Sequence, residues 1–316
     1  MRDKILVWLD ETLTHFGIIK ELQERENIEI YAIVNTNKGR KFYETQKIVN
    51  FTKVWYFRDC FKNLKDKPDM KYLENFEREY NINLWKIAYS DELIYEYNKY
   101  TKFSENEILR ILESDCKFFE KVLNEISPTF LFMKISDTCD MQILHQLCIA
   151  KNIKPLILGP TRLGNKYIIS EDFDKLDKYE NSNIKKIENN FKTFKQLKNY
   201  LNDYSELQTE FLKKFQKSKI RWVKAGIKFL ELSLNKEYKN FYRNKSRTIW
   251  NVSLYSISFI IKKFWRRRFI EKYLQTNLNT EKPFIYFPLQ LEPERTIQIP
   301  APYYTNQIAV INKIVK

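Results

Sequence analysis

Asp10, Glu11 and His15 stand together just after a short apolar run, Lys4–Asp10 (KILVWLD). A carboxylate and an imidazole about one helical turn apart can serve as general base and substrate contact. A plainer arrangement is open as well, in which Asp10 or Thr12 caps the following helix and His15 is a surface or packing residue. A second group, Gly159-Pro160-Thr161-Arg162, joins a rigid turn, a hydroxyl and a guanidinium at the end of another apolar run. Thr161 and Arg162 suit phosphate or carboxylate recognition, because arginine meets these groups with two parallel hydrogen bonds; a simple structural turn is the alternative. Asp137, in the polar turn Ser136-Asp137-Thr138, is a further candidate substrate contact. Glu294 and Arg295 lie in a proline-bounded loop, Gln290–Pro302, either as anion and substrate contacts or as a surface ion pair.

Other chemistries find no support. The chain has no G-x-S-x-G, H-E-x-x-H, G-x-G-x-x-G or GK[ST] motif, and only 5 glycines in 316 residues. Cys60, Cys116, Cys139 and Cys148 have no C-x-x-C spacing and only His15 and His145 for company, so reduced, mostly buried thiols are expected and no metal site.

The elements that must position these residues alternate. Lys4–Asp10, Ile28–Val34, Lys53–Phe57, Thr129–Ile135 and Lys154–Leu158 read as buried strands, separated by segments of helical spacing. The first intervening helix carries Leu13, Phe16, Ile19 and Leu22 on one side. GRKFYETQKIV is helix-like, and the aromatic-rich stretch Asp69–Tyr100 is expected to be helical. Ser104 and Glu107 form a capping box for a long helix with Ile108, Leu112, Cys116, Phe119 and Leu123 on its apolar face. Ser136-Asp137-Thr138 caps a helix reaching about Lys151. The expectation is an α/β fold: a Rossmann-like doubly wound parallel sheet over residues 1–180, whose ligands sit beyond the carboxyl ends of the strands. The loops that qualify are Asp10–His15, Arg58-Asp59, Ser136–Asp140 and Gly159–Leu163.

A basic helical linker follows over 181–281, with helices at Ile184–Leu201 and Glu206–Lys217, and the start of a second α/β domain over 282–316. That start consists of a strand, Lys282–Leu289, and a helix from Tyr304 with Ile308, Ile311 and Val315 on one side. The formal charge is +15, and Phe211–Thr280 holds 18 basic against 3 acidic residues, which is the whole excess. A near-neutral body with one basic segment is not the pattern of a nucleic-acid binder. Within that segment Ile249–Ile261 (IWNVSLYSISFII) is mostly apolar and precedes Lys262-Lys263-Phe264-Trp265-Arg266-Arg267-Arg268. It is too short to cross a ~30 Å hydrocarbon core. It can lie in a membrane interface, with Trp250 and Trp265 at headgroup level and Arg266, Arg267 and Arg268 on anionic lipid. It can instead be a buried interdomain helix with a solvated basic end, or, more weakly, can meet an anionic polymer. The N-terminal apolar run stops at Asp10, too short for a signal peptide, so a cytoplasmic protein is expected.

The segment Tyr286-Phe287-Pro288-Leu289-Gln290-Leu291-Glu292-Pro293-Glu294-Arg295-Thr296, with Tyr303-Tyr304-Thr305-Asn306-Gln307 and an Ile-rich helix after it, resembles a pattern of capsular polysaccharide and surface-carbohydrate biosynthesis proteins. These are glycosyltransferase-like enzymes related to the capsule keto-deoxyoctulosonate transferases. DETLTHFG (Asp10–Gly17), YFRD (Tyr56–Asp59) and GPTR (Gly159–Arg162) are similar to the domains that precede that pattern. The resemblance implies a GT-B arrangement, with the acceptor mostly on the first Rossmann-like domain and a nucleotide sugar mostly on the second. The reaction expected is transfer from the nucleotide-sugar donor to a glycan or lipid-linked acceptor; with no metal cluster visible in the sequence it is expected to be metal-independent and without a further cofactor, and the basic segment would hold the protein at the inner face of the cytoplasmic membrane. Asp10 or Glu11 would be the base, and Arg162 and Arg295 the anion contacts. Family members continue to a Lys-Glu-His-Pro-type motif that this chain does not reach before Lys316, so the resemblance also implies an incomplete donor site and no activity for this fragment alone. The alternative is a non-catalytic membrane-peripheral assembly protein of the same machinery.

Overall fold

The computed structural model describes residues 2–36, 40–61, 66–91, 94, 102–135, 138–160, 167–172, 192–200, 219–235, 238–239, 241–244, 247–274, 285–289 and 302–315. The chain divides into two compact units. The first comprises Met1–Asp59, Lys117–Ser136 and Leu144–Leu232, and the second Cys60–Cys116, Asp137–Ile143 and Ser233–Lys316.

The first unit holds one six-stranded sheet: β1 (Lys4–Leu9), β2 (Glu29–Val34), β3 (Lys53–Tyr56), β4 (Phe130–Lys134), β5 (Lys154–Pro160) and β6 (Tyr167–Ser170). Their order is β3-β2-β1-β4-β5-β6. The first five strands run parallel and β6 is antiparallel to β5. This is an α/β fold of the Rossmann-like kind expected, with the strand order reversing between β1 and β4.

β1 occupies the centre because it is apolar on both faces, as a strand covered on two sides must be. Ile5, Val7 and Leu9 join a core with Ile30, Ala32, Val34, Phe132 and the inner face of helix α1 (Thr14–Arg25), where Phe16 and Ile19 are buried. Leu6 and Trp8 point the other way, where Trp8 meets Phe57 and Phe119 with ring centroids 5.4 and 6.3 Å apart. Phe57 and Phe119 stack at 5.5 Å.

α2 (Arg40–Thr45) is shorter than the helix-like GRKFYETQKIV suggested. The aromatic-rich stretch contains α3 (Met70–Tyr80) and α4 (Leu84–Ser90), each capped by a side chain: Asp69 accepts from Tyr72 N and Asn83 from Lys86 N. α5 (Glu105–Ile126) starts at the expected capping box. Ser104 N donates to Glu107 Oε2 at 2.9 Å, and Glu107 N to Ser104 Oγ at 3.4 Å. All five expected apolar-face residues of α5 are buried. α6 (Cys139–Ala150), α7 (Lys219–Leu234), α8 (Ile249–Tyr273) and α9 (Gln307–Val315) complete the helices used below.

Three expectations need correction. Gly159 and Pro160 do not form a turn: β5 continues through both, pairing with Ile168 and Tyr167 of the unforeseen strand β6. An added Cβ at Gly159 would come to 3.0 Å from Ile135 Cδ1, so the tip of that side chain would have to shift. The strand expected over Lys282–Leu289 is absent from its described part, 285–289, which has no regular structure, since no neighbouring strand pairs with it there. The buried alternative for Ile249–Ile261 fails, because no residue of α8 is buried. Helix over Ile184–Leu201 is described only at 194–200, and Glu206–Lys217 lies outside the described residues.

Candidate functional site

The carboxyl ends of β1 and β4, the two strands flanking the reversal of order, bring ionisable side chains together. Asp10 follows β1 directly. Its Oδ1 accepts from Thr12 N at 2.8 Å and from Thr12 Oγ1 at 2.6 Å, and its Oδ2 lies 3.2 Å from the Lys134 ammonium at the end of β4. The side chains of Asp10 and Lys134 are 15% and 35% exposed, so the pair is sheltered and still reachable from solvent. Tyr43 of α2 donates its hydroxyl to the Asp10 carbonyl at 3.2 Å. Burial and the Asp10 charge push the Tyr43 phenol up to about 12.

Burial alone would raise the Asp10 carboxyl. The two Thr12 hydrogen bonds and Lys134 outweigh it and hold the group below its ordinary value. Asp10 is therefore ionised at neutral pH and a weak proton acceptor. The capping reading does not hold either: Asp10 and Thr12 bond each other, and the N-cap of α1 is Leu13, in the left-handed region at φ 55° with no side-chain cap.

His15, in the first turn of α1, is 4% exposed, and its ring lies 4.9 Å from that of Phe132. In this respect it is a packing residue. One ring nitrogen bonds the Met133 backbone, while Nε2 is buried with no hydrogen-bond partner among the described residues. A backbone carbonyl at Nδ1 fixes the proton there and leaves Nε2 as a bare lone pair. Burial pulls the His15 pKa below its ordinary value, against the opposing influence of Asp10 and the Met133 bond. The imidazole is neutral at pH 7. Of the three expected catalytic residues, Asp10 and His15 are thus within electrostatic reach of each other, and Glu11 is exposed on the same turn.

Lys134 and Tyr43 were not foreseen. The signal for Lys134 was its position as the cation ending the apolar run TFLFMKI next to the switch point. Around the rest of the rim, Arg58 donates to Asn35 Oδ1 at 3.2 Å and Arg40 binds both Asp59 oxygens at 3.1 and 3.3 Å while stacking over Tyr56. Asp137, Thr161, Arg162, Glu294 and Arg295 lie outside the described residues.

A second polar cluster lies inside the other unit. Arg243 Nη2 bridges Asp91 Oδ2 at 3.3 Å and Asp140 Oδ1 at 3.0 Å, and its Nε donates to the Tyr242 hydroxyl at 2.8 Å. Cys139 N donates to Asp91 Oδ2 at 2.8 Å and Thr138 Oγ1 to Asp140 Oδ1. Asp115 completes it, fully buried, with neither carboxylate oxygen partnered among the described residues. Burial, then the Asp140 charge, raises its pKa well above the ordinary value. Three carboxyls stand around one guanidinium whose side chain is 14% exposed, and the carboxyls of Asp91 and Asp140 pair with it.

Among the described residues no group of three or more His, Cys, Asp or Glu side chains is arranged to hold a metal ion. Three of the four free cysteines are buried, and burial raises the Cys139 and Cys148 thiols, so neither is a poised nucleophile. Compared with known proteins, the chain matches no protein-family model and no curated protein sequence.

Proposed function

We propose that the chain is a glycosyltransferase-like protein of capsular or surface polysaccharide biosynthesis, and that the β1/β4 crevice receives the acceptor of a nucleotide-activated sugar. The observation that carries this reading is the Asp10–His15–Lys134 group at the switch point of a doubly wound sheet, where such folds take their ligands. Transfer needs a base for the acceptor hydroxyl. His15 Nε2, unprotonated and unpaired, fits that role better than Asp10, whose fixed negative charge makes the imidazole more basic and steadies the imidazolium that forms. Lys134 supplies the cation for an acidic or phosphate-bearing acceptor. His15 is 4% exposed, so access to Nε2 requires movement of the residues that cover it.

The donor side rests on the resemblance in Tyr286–Thr296 alone, and Glu294 and Arg295 remain proposed contacts there. The test is nucleotide release from UDP-, GDP- and CMP-activated sugars by the protein expressed from its whole gene, in the presence of glycan and lipid-linked acceptors. Asp10→Ala and His15→Gln are expected to lower the rate by about 10²-fold or more while leaving the fold intact. Wild-type rates in both variants would remove the site assignment.

A second reading, a non-catalytic assembly protein at the inner face of the membrane, is favoured by one observation: the uncovered apolar surface of α8. The two readings are compatible, since an enzyme acting on a lipid-linked acceptor gains from being held at the membrane.

A further inference from the structure

We infer that α8 is an interfacial docking helix that lies flat on an anionic lipid bilayer. The inference stands apart from the transfer reaction and rests on exposure, helical spacing and charge.

The helix is held at its start by Thr248, whose hydroxyl accepts from Asn251 N at 3.2 Å, and runs for 25 residues without burying one. At 100° per residue, Trp250, Leu254, Ile257, Ile261, Phe264 and Trp265 fall in one sector about 100° wide. Each of the six is between 53% and 79% exposed. From Trp250 to Trp265 the stripe covers about 22 Å along the axis. An aromatic stands at each end, where amphipathic rings prefer the headgroup region.

The cations are arranged around this stripe. Lys262 and Arg267 lie to either side of it, about 110° from its centre, and Lys263 and Arg266 lie on the opposite face, while Arg268 and Lys272 continue its line beyond Trp265; Glu271 is the only acid in the helix. Arg268 stacks over Phe264 at 4.9 Å, which keeps its stem along the apolar surface while its head stays in solvent. No described helix is long and apolar enough to cross a membrane, so this exposed apolar stripe can meet a bilayer only by lying in the plane of its interface.

A second copy of the chain is the main rival, because the 4-3-4-3 spacing of the stripe imitates a coiled-coil seam. The seam lasts only two heptads before Arg268 and Glu271 take its next positions. Six cations along one helix would repel their counterparts on a second copy, and complement anionic headgroups.

The experiment is co-sedimentation of the full chain with phosphatidylcholine vesicles, with and without about a third phosphatidylglycerol. Binding is expected only with the anionic lipid, and is expected to weaken between low and physiological salt. Each basic residue at such a surface contributes about a fivefold factor, so the triple variant Arg266→Gln, Arg267→Gln, Arg268→Gln is expected to lower partitioning by roughly 100-fold. Trp250→Ala with Trp265→Ala is expected to lower it as well and to remove the blue shift of tryptophan emission on binding. All these side chains are exposed, so unchanged thermal melting checks that the variants fold. The inference is overturned by failure to bind anionic vesicles at low salt. It is equally overturned by binding that ignores the tryptophan variant, which marks plain polyanion attraction, or by a solution dimer that the tryptophan variant dissolves.

Discussion

Replacing Asp115 by asparagine should stabilise the protein, and by an amount that grows with pH. Asp115 sits on the buried face of α5 with both oxygens unpartnered among the described residues, close to Asp140, Asp91 and Arg243. Its folded pKa lies well above the 3.8 of the free group, because burial and two neighbouring carboxylates disfavour the charge. The sign follows directly. A group whose folded pKa is raised contributes its full stability below the unfolded value, and loses it as pH climbs toward the folded value. Above about pH 4 the unfolded chain gives up this proton and the folded chain keeps it, which costs about 1.4 kcal/mol per pH unit. An asparagine side chain at this position has the same shape and does not titrate. Guanidinium unfolding of wild type and Asp115→Asn at pH 5, 6 and 7 should therefore show the variant's advantage growing with pH, by at most about 1.4 kcal/mol per pH unit and levelling off above the folded pKa. Arg243→Ala gives the contrast. It leaves Asp91 and Asp140 buried without their cation, with side chains 2% and 1% exposed, and should cost about 3–5 kcal/mol. A stability difference for Asp115→Asn that does not change with pH, or a loss at every pH, would refute the reasoning, since it would mean that Asp115 is ionised and paired.

Two smaller effects follow from local geometry. Ser104→Ala removes half of the capping box at the start of α5 and should cost about 1 kcal/mol by thermal or denaturant unfolding. Gly159→Ala pushes a methyl group to 3.0 Å from the tip of Ile135 and should cost about 1 kcal/mol, with Gly159→Val costing about 2–3 kcal/mol, measured in the same way.

The sheet was legible because buried parallel strands are short apolar runs of about five to seven residues, and KILVWL, EIYAIV and FLFMK are such runs. β6 was missed because YIIS is short and polar-flanked, and because Gly159-Pro160 looks like a turn when no pairing partner is in view. His15 and Asp10 were visible as a pair, but their division of labour was not. It depends on Lys134 and Met133, more than a hundred residues away in sequence and adjacent only once β1 and β4 pair. Asp115 had a readable signal: it occupies a position that the spacing of Ile108, Leu112, Phe119 and Val122 assigns to the apolar face, where an acid needs an explanation. Its explanation, Arg243, lies in a region whose sequence shows only a run of basic residues.

The most direct test of the proposed chemistry is the pH dependence of kcat/KM for sugar transfer. With His15 Nε2 as the base, the rate should rise as pH climbs through a pKa below the 6.5 of free imidazole, then level off. In His15→Gln that limb should vanish along with most of the rate. An acid limb that persists in His15→Gln, or a rate that variant retains in full, would contradict the assignment of the β1/β4 crevice as the reactive site.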